Sequence, residues 1–355
     1  MSLISSFPSL RSEDSDTHSL LEFLPLALRC AGAAGAVIAK AHAERAETAV
    51  DAIVKGVHGY DQVTVTDEEC EQLIFTMIRG DARCEAHAFV GEEGCAAPDS
   101  SMATLPFSDI TWVCDPLDGT KNFVKGLEHV AVCVGIAAHG KSRVGVVHCP
   151  LLSEVFFAVE GHGAYVAALD ARDPNATNAL ATAMETLATR LGDGSADSAA
   201  RLGALGVRRL DRRAEADSLP LIKSMVSTNV GHYRYGNFVQ VTTNSIGALV
   251  SAALGLRMLG SCAIGMCHVA AARCDAYYER NVGGPWDVSA ASVVVREAGG
   301  AIRDCSGGAF VLRPGKQRIL AAASTALAEE LSGVLAPIEA AVVGALEPEA
   351  ERRAR

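Results

Sequence analysis

Apolar residues along this chain recur with two periods, and the switches between them mark its elements. Over residues 19–55, Leu21, Leu24, Leu28, Ala31, Ala34, Ile38 and Ala41 fall at helical spacing. Pro25 suits a first helical turn, so the long helix is expected to start beside it, after a separate turn. Gly32 and Gly35 weaken this helix and point to close packing against a neighbour. Val63 and Val65 then alternate as in a strand, and a second amphipathic helix is expected over 68–79. Ala88-Phe89-Val90 reads as a short strand running into Gly91-Glu92-Glu93-Gly94. The β-branched and aromatic run 110–113 reads as a buried strand that ends in a sharp bend. Three antiparallel strands are expected next, over 130–138, 143–148 and 154–159. Their joints lie at His139-Gly140, around Pro150 and at Gly161-His162-Gly163.

The pattern lapses over 167–218, which is rich in Ala, Asp, Arg and Ser and has little β character. This stretch reads as a surface insertion, partly helical or disordered. Periodicity returns with a strand at 224–227, a helix at 244–256, a strand at 276–279 and a helix at 288–298 ended by Gly299-Gly300. A strand at 319–323 and a helix at 327–346 complete the chain. There is no internal repeat. Helices and strands alternating in blocks indicate a layered α/β protein. Its expected parts are a disordered tail (1–17), an N-terminal α+β portion (18–166), the insertion (167–218) and a C-terminal α/β portion (219–355).

Composition narrows the function. A chain of 355 residues, 49% hydrophobic and 21% charged, can bury a substantial core. Its net charge of −11 argues against a nucleic-acid partner, because phosphate backbones call for clustered Lys and Arg. The 11 cysteines show no Cys-x-x-Cys pattern, as expected for reduced, buried thiols in the cytoplasm. No membrane-length apolar run is expected; the best candidate, 246–256, contains Ser251 and stops at Arg257.

Candidate chemistry gathers at the bend Cys114-Asp115-Pro116-Leu117-Asp118-Gly119-Thr120-Lys121-Asn122-Phe123. Pro116 and Gly119 turn the chain sharply, so the carboxylates of Asp115 and Asp118 and the carbonyl of Leu117 can converge. Such oxygens suit Mg²⁺, and the amides of Gly119 and Thr120 suit an anion. Taken singly, the acidic sites have ordinary explanations. Asp67 and Asp287 could cap helices, and Glu92-Glu93 could be a solvated loop. Two decoys also occur. Gly135 to Ser142 spells a P-loop, but its residues favour a hairpin over a strand–helix junction. His268, near Cys267 and Cys274, lacks a zinc-ligand spacing.

Together, Gly91-Glu92-Glu93, Asp115-Pro116-Leu117-Asp118-Gly119-Thr120 with Asn122-Phe123, and Trp286-Asp287 followed by Glu297-Ala298-Gly299-Gly300 resemble the inositol monophosphatase family. The resemblance covers roughly 20–165 and 220–335. It implies a layered αβαβα fold and a Mg²⁺-dependent, often lithium-sensitive phosphomonoesterase, usually a homodimer, with a small phosphorylated substrate. Two or three Mg²⁺ per site would be held by Glu92, Asp115, the Leu117 carbonyl, Asp118 and Asp287. Thr120, Asp67 and Glu92 would be catalytic. Gly119 and Thr120 would hold the phosphate, with Asp118, Asp287, Gly260, Cys262 and Glu279 also on the substrate. The segment 280–285 and the step Gly260-Ser261-Cys262 depart from the family pattern, and both bear on the substrate. Inositol monophosphate is the expected substrate. The alternatives are a nucleoside or sugar bisphosphate and histidinol phosphate.

Overall fold

The computed structural model describes residues 20–45, 53–55, 61–94, 110–173, 175–187, 196–212, 219–231, 237–315 and 317–353. The expected tail lies outside them. A 3₁₀ turn at Leu21–Phe23 leads into α1 (Leu24–Glu44), with Pro25 in its first turn as its missing N–H allows. The helix ends at Glu44 and does not run on to Lys55. Arg45, just past its end, donates a 2.5 Å hydrogen bond to the Val124 carbonyl. Beyond it β1 (Ile53–Lys55) pairs antiparallel with β2 (Asp61–Val63).

The next helix, α2 (Val65–Arg79), starts earlier than the apolar pattern predicts, and Val65 is exposed and helical rather than part of a strand. A capping box is the cause. The Asp67 carboxylate takes the N–H of Thr64 at 2.8 Å and its hydroxyl at 2.5 Å, which offsets the unpaired amides of the first turn.

The main sheet has seven strands: β3 (Ala88–Gly91), β4 (Thr111–Asp118), β5 (Ala131–Ala138), β6 (Lys141–Cys149), β7 (Glu154–Val159), β8 (Gly163–Ala168) and β9 (Val207–Leu210), in that spatial order. Only the β3–β4 pair is parallel. The short helix α3 (Thr120–Lys125) follows β4 directly. The P-loop-like stretch is the β5–β6 hairpin, turning through His139 (φ 52°) and Gly140 (φ 74°), and no helix starts at Lys141. Residues 167–218, expected as an insertion, are partly helical where described. They contribute α4 (Ala176–Leu187), α5 (Ala196–Ala204) and the edge strand β9. Leu180, Ala181 and Met184 of α4 are buried in the same core as α1. A Cβ on Gly32 would stand 2.2 Å from Thr177, which accounts for that glycine of α1.

A second sheet of five strands runs β11-β10-β12-β14-β13, with β10 (Met225–Thr228) parallel to both β11 (Gly255–Arg257) and β12 (Ala276–Val282). The strands β14 (Gln317–Ala322) and β13 (Ala301–Arg303) complete it antiparallel. Helix α6 (Asn237–Ala252) precedes β11, α7 (Cys262–Ala270) follows it, α8 (Pro285–Glu297) follows β12, and α9 (Thr325–Arg353) follows β14. Helices α1, α2 and α4 cover one face of the large sheet. Between the sheets lie α7 and α8, while α6 and α9 cover the outer face of the small sheet. The layers are αβαβα, as expected.

The docking of α8 rests on two glycines. Gly135 of β5 and Gly145 of β6 face each other in register. A Cβ on Gly145 would lie 2.1 Å from the Ala290 carbonyl, and one on Gly135 would lie 2.4 Å from Ser289 Oγ. Their bare backbone lets α8 sit directly on the sheet, fastened by the 2.9 Å contact of Ser142 Oγ with Ser289 Oγ.

Leu21–Glu44 is long and apolar enough to cross a membrane by length and composition, although no such run was expected. Its apolar stripe is used otherwise: most of the segment is buried inside the protein.

Candidate metal centre and active site

The bend after β4 behaves as its residues predict. Pro116 offers no N–H to the ladder, and the β4–β5 register shifts between Asp115 and Asp118. Asp115 Oδ1 accepts the Leu117 N–H at 2.9 Å, closing an Asx turn that stiffens the bend. Gly119 then takes φ 97°, a left-handed conformation that side chains disfavour, with the His129 carbonyl only 2.8 Å from where a Cβ would be.

Asp115 and Asp118 thereby meet Asp287, which arrives from the first turn of α8. One carboxylate oxygen from each lies within 4.8 Å of the others, and all three residues are buried. The helix starts at Pro285 and not at Val288, so Gly284 is its N-cap and Asp287, at the third helical position, accepts the Gly284 N–H at 2.7 Å while facing the cluster. Glu92 lines the same cleft without joining the cluster of three. The cleft has a volume of about 140 Å³. Leu117, Gly119, Thr120, Gly260, Cys262 and Glu279 also line it, so the structure brings every expected site residue but Asp67 to its wall. Asp67 lies one contact behind, and Thr120 Oγ1 is 3.1 Å from its Oδ1 and 3.2 Å from the Leu117 carbonyl.

Electrostatics set Asp115 apart within the cluster. Burial pushes the Asp115 carboxyl far above the usual range, and the charges of Glu92, Asp287 and Asp118 push it further. Asp115 Oδ2 is buried with no hydrogen-bond partner among the described residues. A stranded carboxylate oxygen among acidic neighbours is a donor set that fits a hard divalent cation. Asp118 is better supported. Burial raises its pKa, but Ser261 Oγ at 2.6 Å and the Ala263 amide at 2.8 Å hold its Oδ2 at the start of α7.

On the far side, Glu279 is buried and its Oε2 accepts from Tyr277 and, at 3.1 Å, from Asn229 Nδ2. Burial raises its pKa to about 7, with those two donors opposing the rise. Asn229 Oδ1 accepts the Gly260 N–H at 2.9 Å, and Asn122 Nδ2 donates to the Leu259 carbonyl at 2.8 Å. Gly260 (φ 77°) would drive a Cβ into Asn122, 2.7 Å away. The departing segment 280–285 also reaches the site, where β12 is irregular between Glu279 and Val282 and Val282 and Gly283 line the cleft.

Sequence reasoning missed three contributors. Ser261 was detectable as a cap before the apolar run 262–270. Glu71, whose carboxylate accepts the Glu93 N–H at 2.9 Å behind the cleft, sits one helical turn past Asp67, a weak signal. Asn229 has no local signal; its role comes from tertiary contact alone.

Comparison with known proteins agrees with this geometry. The model of the inositol monophosphatase family matches residues 19–339. The chain belongs to the inositol monophosphatase family. Inositol monophosphatase 3 of Solanum lycopersicum is 32% identical over 294 residues, covering 83% of this chain and 90% of that protein. The Nus factor SuhB of Pasteurella multocida is 32% identical over 314 residues, covering 88% of this chain and 96% of that protein. The crystal structure of the extragenic suppressor protein suhB from Bartonella henselae shares the fold, with a TM-score of 0.64 at 22% identity. The match covers 87% of this chain and 96% of that one. Inositol monophosphatases are metal-dependent phosphoric monoester hydrolases, and the buried acidic cluster suits that class.

Proposed function

We propose that this protein hydrolyses myo-inositol monophosphate to inositol and phosphate in a Mg²⁺-dependent reaction. The observation that carries this reading is the convergence of Asp115, Asp118 and Asp287 beside the Thr120–Asp67 pair. Glu92, Asp115, the Leu117 carbonyl, Asp118 and Asp287 would hold two or three Mg²⁺. Bound there, the metal would neutralise the phosphate dianion, acidify the attacking water and stabilise the leaving alkoxide.

The chain's own groups supply the rest. Asp67 Oδ2 is occupied by Thr64, which leaves Oδ1 for the Thr120 hydroxyl. Thr120 then presents its lone pairs to the cleft and accepts a proton from the water as its own passes toward Asp67. The Gly119 and Thr120 amides would hold phosphate oxygens. Glu279, with Oε2 already engaged, keeps its other oxygen for substrate hydroxyls. Gly260 and Cys262 would border the alcohol.

The relatives carry names of two kinds, a phosphatase and a Nus factor. The intact acidic cluster favours the phosphatase, and a net charge of −11 disfavours a nucleic-acid partner. A cytoplasmic location is supported by the ten described cysteines, all buried free thiols. A homodimer is supported by exposed Val250, Leu254 and Met258 on and beyond α6, and its mass in solution would test it.

The deciding experiment is a phosphate-release panel with Mg²⁺ over inositol 1-phosphate, adenosine 3′,5′-bisphosphate, fructose 1,6-bisphosphate and histidinol phosphate. Inositol 1-phosphate is expected to have the highest kcat/KM. A bisphosphate ahead by more than about tenfold, roughly 1.4 kcal/mol, would overturn the inositol assignment.

A further inference from the structure

The strand register brings Glu92 near the cluster but does not aim it. In the parallel β3–β4 pair Gly91 stands opposite Cys114, so Glu92, just past the end of β3, comes beside Asp115 of β4. Asp115 is then fixed by its own turn. Glu92 enters the turn 92–94, where no ladder constrains its direction.

A buried carboxylate supplies the constraint. Glu71 of α2 accepts the Glu93 N–H on Oε1 at 2.9 Å. A Cβ on Gly91 would lie 2.1 Å from the same oxygen, and one on Gly94 would lie 3.3 Å from Oε2. Glu71 therefore fills the hollow of the turn, touching both its flanks and bonding its middle. Asp67 stands four residues earlier and holds Thr120, so one buried face of α2 reaches both loops of the site.

We propose that Glu71 is a positioning residue that aims Glu92 at the metal centre through its hydrogen bond to the Glu93 amide. The proposal rests on the reading of Glu92 as a metal-side carboxylate. Glu71 acts through shape and hydrogen bonding, so an amide of the same shape can replace it.

The test is Mg²⁺ titration of the substrate-free full chain by calorimetry, with phosphate release measured in parallel. Glu71→Ala is expected to weaken Mg²⁺ binding about tenfold, as loss of a residue supporting a ligand does. Its kcat at saturating Mg²⁺ should stay within about twofold of wild type. Glu71→Gln keeps an acceptor oxygen for Glu93 and should bind Mg²⁺ within about twofold of wild type. Gly91→Ala pushes the Glu71 carboxylate off the turn from the other side and should reproduce the Glu71→Ala loss; it also serves if Glu71→Ala does not fold. Wild-type Mg²⁺ affinity in Glu71→Ala and Gly91→Ala, beside a weakened Glu92→Gln, would overturn this proposal alone. A Glu71→Gln as weak as Glu71→Ala would overturn it too, by showing that charge matters and not the hydrogen bond. Wild-type affinity in Glu92→Gln would overturn the reading of Glu92 and this proposal with it.

Discussion

Asp115 carries the most conflicted charge in the site, and its conflict has two measurable consequences. Its carboxylate is buried beside Glu92, Asp287 and Asp118, with one oxygen lacking any partner among the described residues. Asp115→Asn removes the repulsion, so the metal-free protein should gain about 1 kcal/mol or more of stability, read as a higher midpoint in urea. The same change should cut kcat by roughly a hundredfold or more, because about 3 kcal/mol of transition-state stabilisation depends on the bound metal. A variant both less stable and inactive would show instead that Asp115 is needed for folding. Residues of this type were legible because Asp115 to Thr120 lie together in the sequence, where Pro116 and Gly119 announce the bend. Asn229 was not legible, since Tyr277, Glu279 and Gly260 approach it only in the folded chain.

Elements were legible where they are long and periodic, and missed where neighbours decide them. The helix α1 and the strands β5 to β7 follow their apolar spacing, whereas β9 and β13 are short, Arg-bearing edge strands that exist because the neighbouring strand receives them, and the Ala-rich β8 is held between β7 and β9. Val65 alternates with Val63 as in a strand, yet the Thr64–Asp67 cap commits it to a helix. Two elements yield predictions. Gly145→Ala would press a Cβ against the Ala290 carbonyl and lift α8, which bears Asp287. The expected result is a loss of about 1–3 kcal/mol in urea unfolding together with a raised Mg²⁺ requirement. The end of α7 should respond to pH. His268 is partly buried beside Arg273, and burial first, then that charge, lowers its pKa to about 4. A depressed pKa disfavours the proton in the folded state, so the contribution is complete above pH 6.5 and is lost as pH falls through about 4. Discounted for the ring's partial exposure, the loss is on the order of 1–2 kcal/mol. Denaturant midpoints between pH 7 and pH 4 should fall less in His268→Gln than in wild type.

At the scale of the whole molecule, the site is a seam between the two sheets. Asp115 and Asp118 come from the large sheet, while Asp287 comes from α8 between the layers and Glu279 from the small sheet. Asp118 crosses the seam by holding the start of α7 through Ser261 and Ala263. The alternation of helices and strands made the layers legible, but the seam could be placed only through resemblance, because no local pattern links residues 115 and 287. A cation shared across it must couple metal binding to folding, since the unfolded chain has no such site. Mg²⁺ at about a hundred times its Kd should therefore raise stability by about 2.7 kcal/mol, and a chelator should remove that gain. Unfolding followed by heat capacity and by Trp fluorescence should stay coincident while the midpoint moves. Trp112 lies in the large sheet and Trp286 at the start of α8, so fluorescence reports both sides of the seam. In Asp287→Asn the Mg²⁺-dependent shift should shrink to near zero. An undiminished shift in that variant would mean that the stabilising cation sits elsewhere.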